Sequence, residues 1–348
     1  MDPATHFMTG AVLARTGFNR KAAYATLAMT LAAEAPDLDV LWGFKGPIAA
    51  FEHHRGWTHT LIGAPVVAAV VVGVVWAGHR LLCSMRRKPP RAPLRWGLMY
   101  LFALIAALSH LLLDWTNNYG VRPFFPFYPR WFAGSFVAII EPVMLALLFI
   151  ALVAPWLFGL VSSEVGARRQ PFRGRGWAIA ALTFIVALWC WRAWERQQAL
   201  ALALAGDFGG APVLRVWADP YPVNPFRWQT IVETPTAFHI ATVNTLSGDV
   251  VSNAQADVFY KPPTTLATLV AKRSPLGQAY LDWSKEFTLV TDTGVNADGQ
   301  TVVTFRDLRF IYDSPDFGTR ERIPLSGAVF VNDDGRIDHM EMDGFVQR

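Results

Sequence analysis

The chain has 348 residues, of which 53% are hydrophobic and only 17% are charged, and its formal net charge is +4. This composition excludes an ordinary soluble two-domain enzyme and indicates a membrane protein with a soluble part. In a soluble chain the excess of basic residues would suggest that the protein binds nucleic acid. Here the basic residues lie in short turns between apolar runs and report membrane topology, so no nucleic-acid partner is predicted.

Residues 4–16 and 21–35 predict two apolar helices joined by a turn. Each is shorter than the roughly 30 Å hydrocarbon core of a bilayer. Four longer apolar segments follow at 61–82, 94–115, 132–160 and 177–195, which gives at most six membrane helices. Pro36 ends the second short helix, and Asp37-Leu38-Asp39 is expected to be extended, with its two carboxylates pointing to opposite sides.

Thirteen lysines and arginines lie in three alternate connections between these segments: Arg15, Arg20 and Lys21; Arg80, Arg86, Arg87, Lys88, Arg91 and Arg95; Arg168, Arg169, Arg173 and Arg175. Because short basic loops stay in the cytoplasm, one orientation satisfies all three. The N-terminus, loops 36–60 and 116–131, and the whole C-terminal part are then predicted to face outward.

The composition changes near Gly206, so the predicted domains are 1–205 in the membrane and 206–348 outside it. Alternation of apolar and polar residues predicts strands at 226–232, 301–306 and 336–342, and Ser274-Pro275 predicts the start of a helix over 274–285. The expected fold is a polytopic α-helical membrane domain followed by an antiparallel β-rich α+β domain, with one small sheet and one helix. His239 and His339 are interpreted as ordinary strand residues.

Three imidazoles, a guanidinium and a glycine lie within His53-His54-Arg55-Gly56-Trp57-Thr58-His59, just before an apolar run. A turn at Gly56, with Thr58 capping a helix that carries His59, would allow His54 and His59 to bind one metal ion. The alternative is a hydrated polar loop at the membrane surface.

His110 and Asp114 are four residues apart in an apolar segment and therefore lie on one helix face. Ionisable groups there are costly unless they pair, line a wet cavity or bind a cation. The alternative is a structural hydrogen bond between them. One of Asp37 and Asp39 could be a further ligand while the other orients a histidine, and the alternative for both is a solvated corner.

The chain resembles the YdjM family over roughly residues 1–160. The motifs that carry this resemblance are Thr5-His6, Pro36-Asp37-Leu38-Asp39, His54 to Leu61, His110-Leu-Leu-Leu-Asp114, Tyr119-Gly120 and Pro126. That family is described as LexA-binding, inner-membrane-associated, metal-dependent hydrolases. The resemblance therefore implies a bacterial inner-membrane hydrolase. The His110 to Asp114 helix also resembles the ligand helix of zinc-dependent phospholipase C, which implies phosphoester hydrolysis.

Together these observations predict a hydrolase that binds one or two divalent metal ions, with zinc as the expected metal. Its expected substrate is an ester of a lipid or a lipid-linked molecule. Arg55 or Arg122 would hold a phosphate, and Asp39 or Glu141 would act as general base. The expected ligands are His6, Asp37, Asp39, His54, His59, His110 and Asp114. One alternative is a non-catalytic, metal-stabilised membrane protein that binds a partner through its outer domain. A transporter is disfavoured because no inverted repeat is visible.

Overall fold

Four apolar helices long enough to cross a bilayer organise the first part of the chain, within the residues that the structure describes. The structure is a computed structural model that describes residues 1–85, 92–164, 173–252, 257–312 and 323–347. The helices are α5 (Gly63–Ser84), α6 (Trp96–Thr116), α7 (Pro142–Glu164) and α8 (Arg175–Leu204). They confirm the predicted fold class. The basic residues predicted at 86–91 and 168–169 lie outside the described residues.

Two of these helices differ from the prediction at their ends. Residues 132–141 precede α7, so the expected start at 132 is wrong. Pro142 opens the helix, where the missing N–H of proline costs no hydrogen bond. The last helix continues to Leu204 instead of ending near 195. The polar residues Glu195 to Gln198 interrupt the apolar run, and the alanines and leucines of 199–204 then continue the helix.

The predicted hairpin of short helices is present as α1 (Pro3–Leu13), a π-helical turn (Ala14–Phe18), α2 (Asn19–Lys21) and α3 (Ala25–Glu34). Small residues allow α1 and α3 to pack closely. A Cβ atom added at Gly10 would lie 2.6 Å from the carbonyl oxygen of Met29 and 2.8 Å from the Cβ of Ala33. Close packing through glycine and alanine is typical of helices in membranes.

The segment after α3 is a 3-10 helix (Ala35–Lys45), so the expected extended corner at 37–39 is wrong. Pro36 does not break the helical path, because a proline in a first turn needs no N–H partner. Then come α4 (Pro47–His53) and a 3-10 turn (Trp57–His59). Thr58 does not cap a helix that carries His59. The Thr60 hydroxyl oxygen accepts a hydrogen bond at 2.8 Å from the amide of Gly63, the first residue of α5.

The chain divides into two compact units. The first comprises Met1–Leu38, Arg55–Trp194 and Pro220–Pro225, and the second comprises Asp39–His54, Glu195–Asp219 and Phe226–Arg348. In the first unit α3 packs against α1, α5 and α6, and α1 also packs against α7. The core between these helices is rich in alanine and includes Met29, Val71 and Phe102.

The second unit contains two five-stranded sheets. In the first sheet β1 (Arg215–Pro220), β2 (Arg227–Glu233), β3 (Ala237–Asn244) and β4 (Asp249–Val251) are neighbours in that order, and β5 (Val258–Tyr260) also pairs with β3. Helices α9 (Leu266–Lys272) and α10 (Pro275–Ser284) follow. The second sheet is an antiparallel meander of β6 (Thr288–Val295), β7 (Thr301–Asp307), β8 (Gly327–Val331), β9 (Ile337–Met342) and β10 (Phe345–Gln347).

The three predicted strands correspond to β2, β7 and β9, and the predicted helix to α10, whose cap Ser274 accepts from the Gly277 amide at 3.0 Å. The expectation of one sheet and one helix is wrong, since short strands such as β4 and β5 have too few residues to show alternation. Residues 39–54 also belong to this unit. Helix α4 packs against α10, and the Phe51 ring lies 4.9 Å from that of Tyr280.

Candidate metal centre

Two histidines and two aspartates converge in the first unit. One ligand atom from each of Asp37, His59, His110 and Asp114 lies within 4.8 Å of every other, and three of the four side chains are buried. His59 comes from the 3-10 turn before α5, His110 and Asp114 come from one face of α6, and Asp37 comes from the 3-10 helix after α3. The structure therefore joins parts of the chain that are far apart in sequence.

Hydrogen bonds to Nδ1 orient both imidazoles. The carbonyl oxygen of Ala33 lies 2.7 Å from His110 Nδ1, and the Thr58 hydroxyl lies 3.1 Å from His59 Nδ1. A carbonyl only accepts, so the hydrogen of a neutral His110 ring is on Nδ1 and its Nε2 offers a lone pair. A donor arrangement of this kind behind the ligand nitrogen is usual for histidines that bind metals.

The distances between the four ligand atoms suit a tetrahedral ion. The Nε2 atoms of His59 and His110 are 2.9 Å apart, and Asp37 Oδ1 lies 3.2 and 3.5 Å from them. Asp114 Oδ2 lies 3.3 Å from His110 Nε2 and 3.4 Å from His59 Nε2. Zinc bonds of 2.0 to 2.1 Å correspond to edges of about 3.3 to 3.4 Å in a tetrahedron. The five distances given scatter around this value, and the sixth, between Asp37 and Asp114, is within 4.8 Å.

One buried oxygen favours a metal ion over a shared proton at this position. Asp114 is fully buried, and its Oδ2 makes no hydrogen bond to any described residue. A proton shared between the two Nε2 atoms would leave this oxygen unsatisfied, at a cost of about 1–3 kcal/mol or more. A divalent cation would use all four lone pairs at once. The residues present therefore fit a metal ion.

Asp37 is the ligand on the open side of the cluster, with 21% of its side chain exposed. Burial raises the pKa of its carboxyl, but His110 and His59, when protonated, supply hydrogen bonds and positive charge that outweigh that effect, so the pKa of Asp37 lies well below the usual range. Asp37 is therefore a carboxylate that water can reach.

Arg55 and His6 surround the other oxygen of Asp114. Arg55 Nη2 donates to Asp114 Oδ1 at 2.8 Å, and its Nη1 donates to the Gly120 carbonyl at 2.7 Å. His6 Nε2 lies 3.3 Å from Asp114 Oδ1, and the His6 ring stacks on His110. The backbone nitrogen of Met1 also contacts Asp114. Arg55 has a left-handed φ of 53°, which points its buried side chain toward α6.

The remaining predicted site residues have other partners. His54 Nδ1 lies 3.3 Å from Asp39 Oδ1, and this pair belongs to the second unit. Glu141 forms a buried ion pair with Arg192, at 2.9 Å. The Arg122 guanidinium lies over the rings of Phe125 and Trp131, at 4.6 and 4.9 Å. The predicted chemical roles of Asp39, Glu141, Arg55 and Arg122 remain predictions.

Sequence reasoning missed two residues that position this centre and its surroundings. Asn117 Oδ1 accepts from Arg55 Nη1 at 3.3 Å and from the Tyr119 amide at 2.9 Å, so it holds the chain that leaves α6. Arg192 lies inside an apolar helix, where a charged residue demands a partner. That rule could have connected it with Glu141.

Comparison with known proteins shows the family of this chain. A sequence profile described as YdjM inner membrane protein matches residues 1–199. The chain belongs to this family. It is also similar to a Bacillus subtilis (strain 168) protein named "Uncharacterized protein YfhP", with 25% identity over 167 residues. The match covers 46% of this chain and 47% of that protein, so the chain spans about half the length of the relative it matches. No solved structure matches significantly.

The profile match includes the whole metal centre and all four helices of membrane-spanning length at least in part. The family match and these helices establish a multi-pass inner membrane protein in a lipid bilayer. The family confirms the resemblance carried by the motifs around His6, Asp37, His59 and His110. The β-rich part beyond residue 199 lies outside the match.

Proposed function

We propose that this YdjM-family protein is a membrane-bound, metal-dependent hydrolase that cleaves an ester, and that the ester is a phosphoester of a lipid or lipid-linked substrate. The observation that supports a metal-dependent role is the unsatisfied Asp114 Oδ2 opposite two Nε2 atoms. Asp37, His59, His110 and Asp114 would hold the cation, and zinc suits two imidazoles and two carboxylates.

A bound divalent cation would lower the pKa of a water ligand toward neutrality and polarise the scissile group. The chain supplies the geometry for this chemistry. Arg55 and Ala33 fix Asp114 and His110 from behind, while the partly exposed Asp37 marks the side from which water and substrate approach. Asp37 is also the ligand that can most easily yield a coordination position.

The location of the cluster supports a lipid as substrate. His110 and Asp114 lie in the last two turns of α6, and His59 lies just before α5, so the cluster is at the ends of two helices of membrane-spanning length. Phosphoesters of lipids occur at this depth of a bilayer. We further propose that this end of the helices and residues 206–348 face the outside of the cell.

A second function has a specific observation in its favour. The four protein ligands could fill a tetrahedral shell completely, and closed shells are typical of structural zinc sites. In that case the metal would stabilise the helices and the outer domain would bind a partner. The exposure of Asp37 favours the hydrolase.

The decisive experiment uses full-length protein reconstituted with zinc in vesicles that contain phosphatidylglycerol. Phosphorus NMR should detect lipid hydrolysis by the wild type and by His79→Ala, a histidine of α5 that contacts Tyr24 instead of the cluster. Asp114→Asn should abolish it. If the wild type binds stoichiometric zinc but hydrolyses neither phospholipid nor a soluble phosphodiester, the hydrolase proposal is overturned in favour of a structural metal.

A further inference from the structure

An aromatic loop follows α6, the helix that carries two of the candidate metal ligands. Val121 and Phe132 pair through backbone hydrogen bonds of 2.9 and 2.7 Å, and the ten residues between them are Arg-Pro-Phe-Phe-Pro-Phe-Tyr-Pro-Arg-Trp. We call residues 121–132 the aromatic loop. Its tip exposes apolar surface to an unusual degree, because Phe127 is 83% exposed and Phe124 and Tyr128 are about half exposed.

The other side of the loop is fixed to the first unit. Phe125 packs edge-on against Trp57 at 5.3 Å and beneath the guanidinium of Arg122 at 4.6 Å. The Pro123 carbonyl accepts a hydrogen bond from the Leu61 amide at 2.9 Å. The exposed rings therefore project from a supported base, and their exposure is not a consequence of an unpacked segment.

The exposed surface is continuous with a face that lipid covers. Trp57, Leu61 and Ile62 are exposed beside the base of the loop and precede α5 directly. On α5 the exposed side chains Val66, Val70 and Val74 recur every four residues and form one apolar stripe. In a helix of membrane-spanning length such a stripe faces lipid. The aromatic loop extends this surface beyond the helix end.

The composition of the loop fits the interfacial region of a bilayer. Aromatic residues concentrate where hydrocarbon meets the headgroups, and arginine reaches from there to phosphate. Tyr128 and Phe127 are exposed beside Arg130, whose guanidinium lies 5.8 Å from the Phe132 ring centre. In water these rings stay exposed, whereas insertion into the interfacial region would bury their apolar surface, which is favourable.

We infer that the aromatic loop is an interfacial anchor that inserts into the headgroup region of the bilayer on the side of the metal centre. The base of the loop is connected to that centre, because Gly120 accepts from Arg55, which donates to Asp114. Insertion would therefore hold the cluster at the level of lipid headgroups. This inference does not rest on the proposed hydrolase activity.

The test places one fluorescent label on the loop of the full-length protein. Phe127→Cys is made in a Cys83→Ser, Cys190→Ser background, labelled with bimane and reconstituted in vesicles of phosphatidylcholine with some phosphatidylglycerol. The matched control is Leu246→Cys, an exposed apolar position in the turn after β3. Quenching is measured with aqueous iodide and with lipid that is spin-labelled near the headgroup.

Severalfold weaker iodide quenching at position 127 than at 246, together with quenching by the spin-labelled lipid, is the expected result. Equal iodide quenching at both positions without lipid quenching overturns the inference. Shielding from iodide without lipid quenching also overturns it and points to a protein on the loop. Phe127 is too exposed for its replacement to unfold the chain, and equal melting temperatures of both labelled variants would establish that.

Discussion

The Nε2 atoms of His59 and His110 face each other at 2.9 Å although 51 positions separate these residues in the chain. Each ring is oriented from behind, His110 by the Ala33 carbonyl and His59 by the Thr58 hydroxyl. Two facing nitrogen atoms with two carboxylates beside them create a concentrated negative potential inside an apolar helix bundle. A bound cation would offset this potential, and replacing the candidate ligands one at a time tests whether it binds.

Replacing one ligand should release most of the metal, because the other three groups cannot complete the shell. We expect His110→Ala and Asp114→Asn each to lose at least about ten-fold in metal affinity. His54→Ala should retain the metal, since His54 pairs with Asp39 instead of joining the cluster. Mass-spectrometric metal analysis of the purified variants decides this. Full metal content in both cluster variants would mean that the four residues are a structural clasp.

Arg55 should stabilise the metal-free protein more than the metal-loaded protein. Arg55→Ala leaves the buried carboxylate of Asp114 without its guanidinium, and breaking such a pair costs about 3–5 kcal/mol. A bound cation supplies replacement charge, so zinc should recover much of the loss. Thermal melting with zinc and with a chelator measures both states, and Arg130→Ala, at an exposed arginine, is the control. An equal loss in both states would exclude this compensation.

Phe51 should stabilise the second unit from a distant part of the chain. Its side chain is buried, and its ring lies 4.9 Å from Tyr280 and 5.3 Å from Trp283. Phe51→Ala removes this contact and should cost about 3 kcal/mol. Pulse proteolysis of the full-length protein reports the loss. Phe44→Ala, at a position that is 91% exposed, should cost little, and equal effects would contradict the packing.

Asp219 should make the second unit less stable as the pH rises. Burial raises the pKa of this carboxyl from 3.8 to about 7, against the opposing charges of Arg309 and Arg196 and a hydrogen bond from Trp217; Asp307 adds to the rise. A raised pKa means that the unfolded chain releases its proton first, so stability falls between about pH 4 and pH 7, by at most about 4 kcal/mol.

Asp219→Asn should abolish this part of the pH dependence. The amide keeps the shape of the side chain and cannot ionise, so the variant should melt at a higher temperature than the wild type at pH 8 and at a similar temperature at pH 4. Tryptophan fluorescence during heating measures both. A wild type with equal melting temperatures at the two pH values would contradict the buried, protonated carboxyl.

The predicted orientation can be tested by labelling intact cells. In a Cys83→Ser, Cys190→Ser background, Asn296→Cys should react with an impermeant maleimide and Arg91→Cys should not, because basic loops remain in the cytoplasm. Asn296 lies in the turn between β6 and β7. The reverse pattern would place the β-rich part and the metal centre in the cytoplasm.

The metal centre was predictable in its members but not in its exact composition. Asp37, His59, His110 and Asp114 were all expected ligands, because ionisable residues in apolar surroundings need a cation or each other. The same rule cannot distinguish Asp37 from Asp39, or His54 from His59. That choice depends on the 3-10 helix at 35–45 and on the left-handed backbone at Arg55, which have weak sequence signals.

The fold was likewise predictable from the sequence only in part. Long apolar segments predicted α5 and α6 closely, since length and hydropathy dominate in a bilayer. The packing of residues 39–54 into the second unit could not be predicted, because an apolar pair such as Ile48 and Phe51 does not indicate its partner. Hydrophobic contact is not directional, so composition identifies what is buried without saying against what.

The tight contact at Gly10 makes the spacing of two short helices a mechanical constraint on the candidate metal centre. No Cβ fits there between α1 and the α3 backbone near Met29, and the same stretch of α3 carries the Ala33 carbonyl that holds His110. A bulkier residue at position 10 would push that carbonyl away from the imidazole. The presence of all four candidate ligands is therefore insufficient to form this centre. A substitution of this glycine, although it is away from every candidate ligand, would disturb the position of His110.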